Sequence, residues 1–400
     1  MDLRSGHPFW ILKNGLLSDY PSLKHDESCD VAVIGGGITG ALVAYSLTQE
    51  GVETVLVDAR DIGLGSTVAS TALLQYEIDT ELHELIGSVG EAHAVRSYRL
   101  GLEAIDRLEQ LCGELRDECG FERKSSLYLA RRKSDVSKLL KEYETRKAFG
   151  FHVEYWDAKE IGARSSFSAP GAILSHGNAQ VDPFRLTHRL IQAAKQQGLR
   201  VYDRCEVSKV ESSGGGVVLH AGSGFRIRGR RVVFATGYES QQYLKQKVGT
   251  LKSTFALVTE PFDHFDGWPD RALIWETARP YFYLRTTPDD RAIIGGEDVP
   301  YATAHKSEQL ISRKARALQR RFTAMFPHLA MEVSYTWAGT FSETKDGLAY
   351  IGRTPESPHA YFALGYGGNG ITFSVIAAKI ITDLYLCRPC PDADIFRFDR

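Results

Sequence analysis

The chain has 400 residues, 43% apolar and 24% charged, the balance of a globular protein with room for two domains. Forty-eight Lys and Arg against 50 Asp and Glu leave a formal charge of −2, which gives no reason to expect nucleic acid or an anionic membrane as partner. Six scattered cysteines, and a charged N-terminal segment without a long apolar core, set the expectation of a reduced, cytoplasmic protein.

Val31–Ile34 reads as a short buried strand. Gly35-Gly36-Gly37-Ile38-Thr39-Gly40 follows at once. Ala41, Leu42, Ala44, Tyr45 and Leu47 then recur at helical spacing until Gly51. Thr54–Val57 is a second strand, with Asp58 at its end. Strand, glycine turn, helix, strand and acid in this order predict a dinucleotide-binding unit. Gly35 permits the tight turn, Gly37 lets a pyrophosphate approach the helix start, and Gly40 lets helix and strand pack closely. Asp58 can accept from both ribose hydroxyls, and an acid there disfavours a 2′-phosphate, so NADP is not expected.

NAD and FAD share this fingerprint, and the rest of the chain decides between them. Regular βαβ units do not continue. A small, hydroxyl-rich loop (61–79) comes next, then a long helical pattern (90–111) and a strand pattern (126–132). Asp182 and Pro183 are placed to cap and open a helix bearing Leu186, Leu190, Ile191 and Ala194, which Gly198 ends. Strand patterns follow at 200–203 and 204–211, with a hairpin tip at 212–216. The strand 230–234 then ends in Ala235-Thr236-Gly237. The last block is "DGLAYIGRTPESPHAYFALGYGGNGITFSVIAAKIITDLYL", 346–386. Its segment 371–386 holds Lys379 and Asp383 and is too short to span a bilayer. Cys387-Arg-Pro-Cys390 has redox-motif spacing, but no second pair suggests a metal site and none is expected.

These pieces together resemble the D-amino-acid oxidase superfamily, in its branch with glycine and sarcosine oxidases, gamma-glutamylputrescine oxidase-like proteins and flavoproteins fused to a Rieske domain. The segments that carry the likeness are the fingerprint, "GLGST", "VDPFRL", "VVFATG", "YFYLR", "RAIIGGED", "WAGTFSETKDGLAYIG" and "GYGGNGIT". No Cys/His cluster for an iron–sulfur centre is seen. The resemblance implies an α/β fold. A Rossmann-like FAD domain would be assembled from 1–80, 176–244 and 339–400, and a mixed-sheet α+β substrate domain from 81–175 and 245–338.

It also implies where FAD lies. Gly35, Gly37, Ile38, Thr39, Gly40, Asp58, Ala59 and Arg60 would hold its ADP portion, with Val207, Ala235, Thr236 and Gly237. Gly65, Ser66, Thr67, Ser70 and Thr71 would pass along the ring system. Gly365, Gly367, Gly368, Asn369, Gly370, Ile371 and Thr372 would meet the pyrimidine end, where a helix start favours negative charge on reduced flavin. Some members of the superfamily it resembles attach flavin through a cysteine ahead of the C-terminal glycine loop, and some through a histidine. No cysteine lies in 331–372 and no histidine in 61–75, so FAD is expected to be non-covalent.

The implied reaction is oxidation of an amine or amino-acid C–N bond by hydride transfer to flavin and imine hydrolysis, with O2 or another acceptor taking the electrons. A 2-hydroxy-acid or polyol dehydrogenase stays open, as does an electron-transfer or assembly flavoprotein without turnover. Glycine oxidase-like enzymes place an arginine where this chain has Phe341, and bulk or charge where it has Gly368. Sarcosine oxidases place a lysine where it has Ile293 or Ile294. Tyr281, Tyr283 and Arg285 fall on one strand face and are the substrate-side candidates, with Tyr366 flanking the flavin.

Overall fold

Two sheets organise the chain, each drawn from segments far apart in sequence. The computed structural model describes residues 3–213, 215–364 and 366–400. The expected hairpin tip therefore falls partly outside the described residues, as does Gly365.

The first sheet has a parallel centre. Ser357–Leu364, Arg226–Phe234, Glu27–Ile34, Thr54–Val57 and Arg200–Tyr202 lie side by side in that order. Tyr350–Thr354 runs antiparallel at one edge, and Gly216–Ala221 pairs with Arg226–Phe234 and carries its hairpin partner Val207–Ser213 on its other side. Val31–Ile34 and Thr54–Val57 are buried at every position, and apolar at all but Thr54, because both faces of a parallel centre are covered. Helix Ile38–Gln49 covers one face and packs between Pro183–Gln196 and Gly370–Tyr385. Pro183–Gln196 starts as its sequence requires: Asp182 Oδ1 accepts the N–H groups of Phe184 (3.1 Å) and Arg185 (2.9 Å), with Pro183 at the first turn.

The second sheet is mixed. Its order is Arg4–Gly6, Val333–Glu343, Thr250–Thr259, Ala292–Pro300, Phe282–Thr286, Leu273–Glu276, Glu122–Leu129, Gly171–Gln180 and Leu73–Leu74, with Val153–Asp157 also on Gly171–Gln180. Pairing is antiparallel except between Leu273–Glu276 and Glu122–Leu129. Two short strands from the first eighty residues, Arg4–Gly6 and Leu73–Leu74, belong to this sheet. Helix Ala304–Met325 closes one face, its Phe322 joining Phe255, Phe282 and Phe326 in one apolar cluster. The opposite face looks toward the first sheet and forms a wall of the site. All six cysteines are free thiols. Among the described residues, no helix is long and apolar enough to cross a membrane.

Candidate active site

The glycine turn is fixed by contact. Gly35 has φ +108°, and a Cβ there would sit 2.4 Å from the Ala235 carbonyl oxygen. A Cβ on Gly40 would sit 1.7 Å from the Gly35 carbonyl oxygen, so this glycine sets the closeness of helix and strand. Gly37 precedes the helix, and its missing Cβ leaves space beside Thr67 Oγ1, which accepts the Ile38 N–H at 3.0 Å. Asp58 accepts the Gly36 N–H (2.6 Å) and the Arg60 N–H (2.7 Å). Burial pushes its carboxyl pKa up, and those two N–H groups pull it back. The Arg60 guanidinium forms a fork on Glu239 (3.0 and 2.9 Å), bridging the ends of two parallel strands.

The hydroxyl-rich loop is held from behind. Trp10 Nε1 donates to the Ser70 carbonyl (2.7 Å) and Trp337 Nε1 to the Ala69 carbonyl (2.8 Å). Arg285 joins them and does not reach the cavity. It is fully buried, and its Nη1 donates to the carbonyls of Ala72 (2.7 Å), Val181 (3.0 Å) and Thr71 (3.3 Å). Strand alternation correctly puts Arg285 on the face of Tyr283. Two residues further along, however, that face lies behind the 71–72 backbone. The substrate-side expectation for Arg285 is corrected on this ground.

At the far end Asn369 ties two loops together. Its Nδ2 donates to the carbonyls of Gln75 (3.0 Å) and Glu77 (2.7 Å), while the Gly368 N–H donates to Asp79 Oδ2 (2.9 Å). Helix Gly370–Tyr385 starts here, and Thr39 Oγ1 meets Ser374 Oγ at 2.8 Å, bringing two helix starts together. Thr372 turns away, its hydroxyl donating to the Asn369 carbonyl at 2.9 Å. The mixed sheet supplies the opposite wall. Tyr283 lies flat across Gly295, where a Cβ would be 2.3 Å from the ring. Trp275 stacks on Tyr128, with centroids 3.8 Å apart. The Tyr281 hydroxyl lies against Asp79 and accepts from Arg279. Burial, then Asp298, pushes Tyr283 up to about 12, and burial pushes Asp298 up to about 6.

One cavity of about 810 Å3 connects these regions, within the size range of cofactor sites. Gly35, Gly37, Ile38, Thr39, Asp58, Ala59, Arg60, Gly65, Ser66, Thr67, Ser70, Thr71, Val207, Ala235, Thr236 and Gly237 line it. So do Tyr281, Tyr283, Tyr366, Gly367, Gly368, Asn369, Gly370 and Ile371. Gly40, Arg285 and Thr372 do not. Lining residues missed from sequence include Glu77, Asp79, Tyr238, Thr254, Trp275 and Asp298. Asp79 closes the hydroxyl-rich loop and Asp298 lies in the strand Ala292–Pro300 just past the apolar run "AIIGG", so a charge close after such a run was the signal available.

An extended dinucleotide fits these residues. A cradle free of side chains, an acid at the second strand end and two helix starts turned to one cavity suit a pyrophosphate. Ser66 Oγ and Tyr366 Oη are buried, line the cavity and have no hydrogen-bond partner. The fold and the cavity define a dinucleotide-binding redox protein. The family described as "DAO: FAD dependent oxidoreductase" matches residues 30–384, and the chain belongs to it as an FAD-dependent oxidoreductase. It is similar to glycine oxidase of Bacillus subtilis (strain 168), at 26% identity over 93% of this chain and 97% of that protein. Gamma-glutamylputrescine oxidoreductase of Escherichia coli (strain K12) is 24% identical over 91% of this chain and 85% of the relative. The crystal structure of glycine oxidase from Geobacillus kaustophilus superposes with a TM-score of 0.78, at 20% identity, over 91% of this chain and 96% of that one.

Proposed function

We propose that the protein oxidises a carbon–nitrogen bond of a small amine, with FAD held non-covalently and O2 or another acceptor taking the electrons. The observation that carries this reading is the continuity of the cavity from the Asp58 end to the aromatic wall of the mixed sheet. The relatives' names support it, since glycine oxidase and gamma-glutamylputrescine oxidoreductase both take amine-bearing substrates. In this reading Gly35, Gly37 and Asp58 hold the ADP portion, and Gly367–Ile371 face the flavin's pyrimidine. Bound FAD supplies the acceptor for the hydride from the carbon beside the amine nitrogen. The protein supplies position and dryness: Trp275, Tyr283, Phe341 and Tyr366 exclude water, and the start of Gly370–Tyr385 stabilises added negative charge.

The cofactor domain is assigned to 1–80, 176–244 and 339–400, and the substrate domain to 81–175 and 245–338, with Arg4–Gly6, Leu73–Leu74 and the ends of Gly171–Gln180 and Val333–Glu343 crossing that division to pair in the mixed sheet. Non-covalent binding rests on the lining. Among the described residues its cysteine is Cys205, beside Glu206 and Val207 at the ADP end, and no histidine lines the cavity.

Acid precipitation should release FAD into the supernatant; flavin in the pellet overturns the non-covalent assignment. Asp58→Ala should weaken FAD by about 1.5–3 kcal/mol, read by flavin retention on dialysis. Anaerobic bleaching of the flavin by amines tests the reaction. Bleaching by 2-hydroxy acids and not by amines defeats it.

A further inference from the structure

The end of the cavity against the mixed sheet carries two carboxylates that, among the described residues, pair with no cation. Six carboxylates and one guanidinium line the whole cavity. The guanidinium, Arg60, is paired with Glu239 at the ADP end. Glu77, near the other end, has Arg146 at 3.7 Å. Asp58 and Glu206 lie at the ADP end, Asp58 bound by the N–H groups of Gly36 and Arg60. At the mixed-sheet end Asp79 and Asp298 are left, and neither makes a salt bridge among the described residues. Asp79 is held by the Gly368 N–H and the Tyr281 hydroxyl. Asp298 has Thr254 beside it, and its Oδ1 is buried without a hydrogen-bond partner. Lys252, the cation facing Asp298, is bound to Glu343 at 2.6 Å. Arg279 stacks over the Tyr281 ring but is exposed and does not line the cavity.

Two features make this end a receptor for positive charge. A buried carboxylate without a partner is costly, and an arriving cation removes that cost. The neighbouring walls are the rings of Trp275, Tyr281, Tyr283 and Tyr366, whose faces attract cations. Gly368 matters here as well. A Cβ on it would lie 3.2 Å from Asp79 Oδ1, so the loop position expected to hold bulk or charge has a carboxylate pressed against it. An α-carboxylate would meet repulsion at this place. The reacting nitrogen must be neutral to release hydride, and a carboxylate beside it would hold its proton. The two acids therefore suit a cationic group that does not react.

We propose that Asp79 and Asp298 receive a second, non-reacting cationic group of the substrate, making the substrate class a diamine or an amino-guanidine and not an α-amino acid. This rests on the amine-oxidation reading above.

The test uses the FAD-loaded enzyme and two probes of one shape and opposite charge. Benzamidine has no hydrogen on the carbon bearing nitrogen and is not oxidised; benzoate is its anionic counterpart. Binding is read by calorimetry and by the shift of the flavin spectrum. Benzamidine should bind at least about tenfold more tightly than benzoate, and Asp298→Asn should weaken it by roughly tenfold or more, with benzyl alcohol unaffected. Asp79→Asn should do the same. If it also loses flavin, Asp298→Asn carries the test. Tighter benzoate binding, or unchanged benzamidine binding in Asp298→Asn, overturns the proposal. In anaerobic reduction, 1,4-diaminobutane should outrun n-butylamine by about tenfold, and Asp298→Asn should erase the gap. A benzamidine preference with no bleaching by any amine supports the charge assignment and defeats amine oxidation. Bleaching by glycine with a benzoate preference does the reverse.

Discussion

The two ends of the cavity are built by opposite means. At the ADP end the backbone forms much of the surface, and the buried charges are answered from within: Asp58 by the N–H groups of Gly36 and Arg60, Arg60 by Glu239. At the far end side chains form the surface. They come from the loop before Leu82–Val89, five strands of the mixed sheet and the C-terminal glycine loop. There Asp298 Oδ1 and Tyr366 Oη are buried without partners. A site for a constant ligand is complete in the protein alone. A site for a specific substrate is left short of the group that the substrate brings.

That contrast breaks most sharply at Gly40. Gly40→Ala sets a Cβ against the Gly35 carbonyl, where only backbone can yield. A loss on the order of 3 kcal/mol is expected, seen as a fall in Tm and as flavin lost on gel filtration. A variant that keeps both would mean that the ADP end is not rigid.

Arg285→Met comes next. It leaves the carbonyls of Ala72, Val181 and Thr71 buried without this donor, a cost of about 2–3 kcal/mol. Stability and flavin retention should fall, while the ratio of KM for carboxylated to uncharged amines stays level. A selective rise in KM for carboxylated amines would return Arg285 to the substrate.

The smallest effect sharpens the contrast at Asp298. Burial raises its carboxyl to about 6; Thr254 and Lys252 pull it down, while Glu343 and Asp79 push it up, with Tyr283 alongside. A carboxyl with a raised folded-state pKa adds stability that is fully present below its ordinary range and lost as pH rises through about 6. Asp298→Asn avoids that loss, so its Tm advantage over the parent should open between about pH 4 and 7. Benzamidine affinity of the parent should climb over the same interval. Parallel melting profiles would show a solvated carboxyl and remove the contrast.

The sequence was readable where local geometry fixes position. Gly35, Gly37 and Asp58 belong to one strand–turn–helix–strand unit, so spacing alone places them. Asp182 and Pro183 announce their helix for the same reason. Trp275 and Asp298 share one wall only because Leu273–Glu276, Phe282–Thr286 and Ala292–Pro300 pair in one register, and Asp79 joins them only through the distant Gly368 N–H; no short stretch encodes either. Arg285 shows the limit from the other side. A period of two assigns a face, but the edge of a cavity along that face is set by the chain that crosses it, here residues 71–72.

The indole donors behind the hydroxyl-rich loop have an optical consequence. Trp10 and Trp337 hold the backbone of that wall, and Trp275 lines the cavity itself, so three of the five tryptophans abut the proposed flavin site. Indole emission overlaps flavin absorption, and energy transfer is efficient over such short separations. Apoprotein should therefore fluoresce brightly and darken as FAD enters, so the exchange of cofactor can be timed on the unlabelled chain.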